Sequence, residues 1–243
     1  MGRPMELMIR LEDISFAYPG SPKILDGLNF ELRQGDRIGL LGHNGSGKTT
    51  MFHIIMGLLK PDSGKIEIFG KPVASEKDFT QVRQRIGLLF QDADDQLFCP
   101  TVLEDVAFGP LNLGKSEEEA VEIARKTLDR LGLSGFENRI TCKLSGGEKR
   151  LAALATVLAM EPSVLLLDEP SAGLDRKTKE KLVEVLSELD LSYILISHES
   201  DFLSDIASAI YAMEDGKILT DKELHLHRHI HAHPLGTHPH SHK

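Results

Sequence analysis

Tryptophan is missing from the 243 residues, and cysteine occurs only twice, at Cys99 and Cys142. Two thiols so placed offer neither a disulfide framework nor a metal-ligand spacing, and they read as free thiols of a reducing compartment. No apolar run approaches the roughly 20 residues that a membrane-spanning helix needs. Met1 to Arg10 lacks the charged-then-apolar signature of an export signal, so residence in the cytosol is expected. Basic residues are in deficit: 28 Lys and Arg stand against 37 Asp and Glu, a formal net charge of −9. Without a basic stripe, no nucleic-acid partner is expected. The missing tryptophan carries no functional conclusion. What is present is 41% apolar residues, in a length that suits one α/β domain with a small helical insertion.

The most specific feature is Gly42-His43-Asn44-Gly45-Ser46-Gly47-Lys48-Thr49, followed by Thr50. It fits the phosphate-binding pattern G-x-x-x-x-G-K followed by Ser or Thr. It lies between the apolar run Ile38 to Leu41 and a helix-like run from Thr49 to Leu59, the strand–loop–helix context that the motif requires. Glycines let consecutive backbone N–H groups curl around a phosphate, and the helix N-terminus adds partial positive charge. Lys48 can reach the β- and γ-phosphates of a nucleotide, and the Thr49 hydroxyl can bind Mg²⁺. His43 sits at a variable position of the loop and takes no chemical role.

Met8 to Tyr18 alternates apolar and polar residues and reads as a strand. Leu28 to Leu32 reads as another, with Lys23 to Gly27 as the turn between them, both in a small antiparallel sheet. Arg37 to Leu41 is a buried strand. Pro61 to Gly64 reads as a turn before a strand over Lys65 to Phe69. The middle, from Asp78 to Arg139, reads as helical, with a capping box at Ser116 to Glu119. Val164 to Leu167 and Ser192 to Ser197 are apolar runs of strand length. Ala209 to Met213 and Lys217 to Thr220 read as a hairpin around Asp215-Gly216. Strands alternating with helices predict a mainly parallel sheet covered on both faces.

Two further motifs carry chemistry. The apolar run Val164 to Leu167 ends in Asp168-Glu169. Asp168 can stand beside the Mg²⁺ at Thr49, and Glu169, facing another way, suits a general base. Leu144-Ser145-Gly146-Gly147-Glu148 opens a helix, so its bare N–H groups make a second anion site.

In this order the phosphate loop, Leu144-Ser145-Gly146-Gly147, Asp168-Glu169, Ser171-Ala172-Gly173-Leu174-Asp175 and Ser197-His198 resemble the ATP-binding-cassette ATPases, over nearly all of the chain up to Asp221. The resemblance implies a P-loop α/β fold with a mainly parallel sheet flanked by helices, a small antiparallel β subdomain and a helical signature subdomain. The cassette would span residues 1–224, with the helical part at about 92–160. It implies ATP and Mg²⁺ as ligands and ATP hydrolysis as the activity. Tyr18 stands where the family stacks an aromatic on adenine. Gln91 matches the glutamine that links Mg²⁺ and the attacking water to a membrane subunit. Ser145, Gly146 and Gly147 would contact the γ-phosphate held by a second cassette, and Asp175 lies in the loop that crosses between cassettes. His198 resembles the switch histidine that contacts the γ-phosphate and steadies Glu169. Glu148 departs from the pattern, in which glutamine is more usual.

Asp92-Ala93-Asp94-Asp95-Gln96-Leu97-Phe98, and later Leu158 to Pro162, are similar to the energy-coupling-factor importers. That likeness implies integral membrane coupling and substrate-binding subunits as partners, a second ATPase chain, identical or a paralogue, and a peripheral place on the cytoplasmic face of the membrane. A His-rich tail, residues 225–243, carries His225, His227, His229, His231, His233, His238, His240 and His242 in alternation. Alternate imidazoles of an extended chain point to one side and suit Ni²⁺, Co²⁺, Cu²⁺ or Zn²⁺. The chain is therefore read as the ATPase of a nickel or cobalt importer. The competing readings are another importer of the same kind, for a vitamin, and a soluble cassette ATPase of metal-cluster assembly.

Overall fold

A computed structural model describes residues 6–219. β1 (Leu7–Ala17) pairs antiparallel with β2 (Lys23–Arg33) on one side and with β4 (Ser63–Ile68) on the other, and β5 (Lys71–Pro72) closes this sheet in the order β2-β1-β4-β5. The second sheet runs β10-β9-β3-β8-β7-β6, from β3 (Arg37–Leu41), β6 (Ile86–Leu89), β7 (Val164–Asp168), β8 (Ser192–Ile196), β9 (Ala209–Glu214) and β10 (Lys217–Leu219). From β9 through β6 its neighbours are parallel, and only β10 is antiparallel. Among the described residues seven α-helices join these strands: α1 (Lys48–Ile55), α2 (Glu76–Arg83), α3 (Val102–Asn112), α4 (Glu117–Arg130), α5 (Gly146–Leu158), α6 (Arg176–Glu188) and α7 (Ser200–Ile206).

The side-chain period of two divides the interior between the faces of the parallel sheet. Every residue of β7 is buried. Leu165 and Leu167 pack with Leu128, Leu154, Leu182 and Leu203 on the side of α4 to α7. Val164 and Leu166 pack with Phe52 and Ile55 of α1 and with Ile9, Leu11 and Leu25 of the antiparallel sheet. A strand buried on both faces reads as one unbroken apolar run, as parallel strands do. α3, α4 and α5, within the span read as a helical subdomain, pack on one another and share their core with the sheet.

Several expected boundaries move. Lys23 to Gly27 is not a turn but the first half of β2: Lys23 pairs with Ala17 and Leu25 with Phe16. The chain reverses earlier, where the Ser21 amide donates to the Tyr18 carbonyl, and β-bulges absorb the irregular Asp26-Gly27 step. The turn expected over Pro61 to Gly64 is shorter, since Ser63 and Gly64 already belong to β4. β6 interrupts the middle that reads as helical. Its four residues are too few to show a period, and a central parallel strand needs no polar face. α1 ends at Ile55 rather than Leu59, because Gly57 turns left-handed at φ 67°. The hairpin around Asp215-Gly216 forms as expected through β9 and β10, while Thr220 and the tail histidines lie outside the described residues. No helix among the described residues is long and apolar enough to cross a membrane.

Candidate functional site

The carboxyl ends of β3, β8, β7 and β6 lie side by side, and each feeds a chemical motif: the phosphate loop, Ser197-His198, Asp168-Glu169 and Gln91. Beyond those ends, a cleft of about 390 Å³ is lined by Tyr18, Ile24, Asn44 through Thr50, Gln91, Asp168, Glu169, Ile196 and His198. The crevice outside the carboxyl ends of a parallel sheet is where such folds take ligands.

The loop is built for anions. Gly45 (φ 82°) and Gly47 (φ 104°) take left-handed conformations, the kind of backbone that lets successive amides converge on one anion. Gly47 has no room for a side chain either, since a Cβ would stand 2.6 Å from Leu25 Cδ2. No side chain caps the start of α1, so its first amides are left for a ligand. The Lys48 ammonium is tethered within the loop, donating to the carbonyls of Gly42 (2.7 Å) and His43 (3.0 Å) and to Ser46 Oγ (3.3 Å). Burial lowers its pKa. Gly42 and His43 hold Lys48 through these carbonyls and do not themselves line the cleft. Tyr18 packs edge-on against Phe16 and shares a hydrogen bond with Thr50 Oγ1 (3.2 Å), yet 41% of it remains exposed at the rim.

Opposite the loop lie the carboxylates. Asp168 is buried and accepts the Thr49 hydroxyl proton at 2.6 Å. Burial raises its pKa, and the Thr49 bond works against that. Glu169 leaves the strand in a left-handed conformation, φ 49°, held by its amide on the Ile196 carbonyl at 3.0 Å. Such a conformation costs a non-glycine residue roughly 1 to 2 kcal/mol. Its carboxylate lies beside His198, whose Nε2 is 3.2 Å from Glu169 Oε1. Burial raises the Glu169 pKa too. Two desolvated carboxylates beside a hydroxyl make a donor set of the kind that Mg²⁺ takes in nucleotide sites.

Gln91 is held by backbone grips that the sequence did not announce. Arg150 Nη1 donates to the carbonyls of Phe90 (3.1 Å) and Gln91 (2.6 Å). Gln96 accepts from the Phe90 amide and donates to the Ala153 carbonyl and Thr156 Oγ1, and Lys149 pairs with Asp94 at 2.5 Å. Lys149, Arg150, Ala153 and Thr156 all belong to α5, so this one helix fastens the Gln91 loop. Ile24 and Ile196 line the cleft as well, and as ordinary core-type residues they carried no motif signal.

Ser145, Gly146, Gly147 and Asp175 are not part of this cleft; they form a second group. Ser145 caps α5 and Asp175 caps α6, and Leu174 stands beside Gly147. A Cβ at Gly146 would meet nothing within 4 Å, and one at Gly147 would make only ordinary contact with Leu174 and Thr178. Neither takes a positive φ. Glycine costs about 1 kcal/mol against alanine within a helix, and nothing among the described residues requires it at either position. Among the described residues, no cluster of three or more His, Cys, Asp or Glu could hold a metal ion.

Residues 25–172 match the family model described as ABC transporter. An energy-coupling factor transporter ATP-binding protein of Methanothermobacter thermautotrophicus is 41% identical over 88% of this chain and 70% of its own length. Among solved structures, cbiO1 of Clostridium perfringens, described as part of the ABC transporter complex cbiONQ, superposes with a TM-score of 0.78 at 35% identity, over 88% of this chain and 87% of that one. A cassette solved as a dimer in a post-hydrolysis state, with ADP and Pi bound, superposes with a TM-score of 0.79 at 28% identity, over 87% of this chain and 96% of that one.

Proposed function

This chain belongs to the ABC transporter family and is an ATPase of the importer type, and from that premise we propose that it powers the uptake of nickel or cobalt ions, working as one half of a cassette pair. The observation that carries the site is the single cleft in which the phosphate loop faces Asp168, Glu169 and His198. The amides of Gly45 to Thr49 and the Lys48 ammonium take the β- and γ-phosphates. The Tyr18 ring offers adenine an exposed π-face. Thr49, Asp168 and Gln91 would hold Mg²⁺, which when bound would neutralise phosphate charge and the desolvated Asp168. Glu169 orients a water toward the γ-phosphorus and accepts its proton as the new P–O bond forms and the β–γ bridge breaks. His198 fixes the Glu169 carboxylate.

The glycines of the second group support the pairing. Residues kept bare without internal need suit the close approach of something from outside, and an anion at the N-terminus of α5 is favoured electrostatically. In this reading each ATP lies between the phosphate loop of one cassette and Ser145, Gly146 and Gly147 of another, and Asp175 crosses at the same contact. Loss of the γ-phosphate then opens the pair, which is how hydrolysis becomes movement in membrane subunits. The acidic turn at Asp92, Asp94 and Asp95, next to the exposed Phe98 and Phe108, offers those subunits a docking face suited to basic and apolar residues. This arrangement puts the chain at the cytoplasmic face of the membrane.

The substrate rests on the tail. A mass measurement with added Ni²⁺, comparing the full chain with one cut after Leu224, should show metal uptake by the full chain alone. Equal uptake by both removes the tail from the account. Co-purification from membranes tests the transport role: integral membrane partners should come with the chain, and recovery with a cytosolic scaffold alone would contradict it.

A further inference from the structure

Glu148 occupies an awkward place. It is the third residue of α5, beside the amides proposed to receive the partner's γ-phosphate, and a second negative charge there opposes binding. Its geometry shows how the charge is managed. One oxygen, Oε2, accepts the Ser145 amide at 2.8 Å, while Ser145 Oγ accepts the Glu148 amide, a reciprocal capping box. The other oxygen, Oε1, meets Arg139 Nη1 at 2.7 Å. The Ser145 amide is the strongest influence that holds the Glu148 pKa below its usual range, with Arg139 adding to it, so the carboxylate is charged at neutral pH. Arg139 is itself fixed in place. Its guanidinium lies 3.8 Å from the centre of the Phe136 ring, its amide donates to the Phe136 carbonyl, and its own carbonyl accepts the Val102 amide at the start of α3.

We propose that Arg139 is a positioning residue for the shared ATP site: it holds and neutralises the Glu148 carboxylate so that the N-terminus of α5 can accept a phosphate from the partner cassette. This rests on the reading that Ser145, Gly146 and Gly147 close over the partner's nucleotide. Arg139 acts through Glu148 and not by touching phosphate itself, which makes its importance conditional on the charge at position 148. Glutamine would keep the capping box, since it serves as well as glutamate at that position, and would leave Arg139 nothing to neutralise.

The test uses the full chain with Mg²⁺ and a non-hydrolysable ATP analogue, following the nucleotide concentration that half-saturates dimer formation by sedimentation. Arg139→Met should raise that concentration about three- to tenfold, the scale of a partly screened unit charge, and the rise should shrink as salt is added. In the Glu148→Gln background the same substitution should change it less than twofold. Arg139→Lys, which keeps the charge and loses the fork, serves as a second variant should Arg139→Met unfold, and should fall between Arg139→Met and the parent. Equal losses in the parent and in the Glu148→Gln background overturn the proposal, as does no loss at all. Gly146→Arg separates the two levels, because a Cβ at that position meets nothing within 4 Å in its own chain. If Gly146→Arg dimerises like the parent, the shared-site reading fails and the proposal with it. If Gly146→Arg abolishes the dimer while Arg139 and Glu148 act additively, only the role of Arg139 is lost.

Discussion

Replacing Glu169 by glutamine should separate catalysis from stability in opposite directions. The side chain of Glu169 is only 11% exposed, and burial raises its pKa. A carboxyl that holds its proton more tightly in the folded chain than in the unfolded one stabilises the fold while protonated. That stability is lost as pH rises from the ordinary carboxyl value, 4.5, through the raised one. At neutral pH the charged Glu169 therefore costs stability, and its neighbour Asp168, whose pKa burial also raises, adds repulsion. Glutamine keeps the shape and the close approach to His198 and removes the charge. Removing a charge that burial disfavours should therefore leave the variant the more stable of the two at neutral pH. In a chain of this size each 1 kcal/mol of such a gain would appear as roughly 2 to 4 °C in Tm. Losing the base should cost about 10² to 10⁴ in kcat, roughly 3 to 5 kcal/mol of barrier. Thermal unfolding and phosphate release, run side by side without nucleotide and with MgATP, read both effects. The Tm difference between variant and parent should be small near pH 4.5 and widen toward pH 7. Ordinary turnover in Glu169→Gln would refute its role as base. A Tm several degrees below the parent's would refute the electrostatic reasoning and leave unfolding as the cause of any lost activity.

Lys48→Ala removes the ammonium proposed to take the phosphates and should weaken binding of a fluorescent ATP analogue; unchanged affinity would contradict its assignment. Thr49→Val leaves the buried Asp168 without the hydroxyl that satisfies it, and should cost about 1 to 3 kcal/mol of stability in denaturant titration together with a higher Mg²⁺ requirement. Gly47→Ala forces a Cβ to within 2.6 Å of Leu25 Cδ2 at φ 104°, and should lower Tm even without nucleotide. The two thiols should separate toward a disulfide reagent at pH 8: burial pushes the Cys99 thiol to about 11, whereas Cys142 is exposed, so one thiol should react promptly and the other lag.

Much of the sheet was legible because β3, β7 and β8 each present an unbroken apolar run ending at a motif, and a parallel strand needs no polar face. The pocket followed, since the phosphate loop, Asp168-Glu169 and His198 sit at the carboxyl ends of strands that are neighbours in one sheet. β6 escaped because Ile86 to Leu89 is short and framed by charged helical segments. The first half of β2 escaped because Asp26-Gly27 has the chemistry of a turn, and pairing with β1 carries the strand through it although Gly27 is left-handed at φ 67°. The grips of Arg150, Lys149 and Gln96 on the Gln91 loop bring together residues some sixty positions apart, which no local pattern encodes. The left-handed backbone of Glu169 is equally invisible in sequence, because tertiary contacts impose it against the residue's own preference.

The central claim is that one chain cannot complete its own catalytic site, since the phosphate loop and the Ser145 to Gly147 turn of the same molecule lie in separate groups. Phosphate release per chain should therefore be measured over a wide dilution series in saturating MgATP, alongside sedimentation of the same samples. Turnover per chain that falls on dilution in step with the loss of dimer is the expected result. Constant turnover from a chain that sediments as a monomer throughout would contradict it.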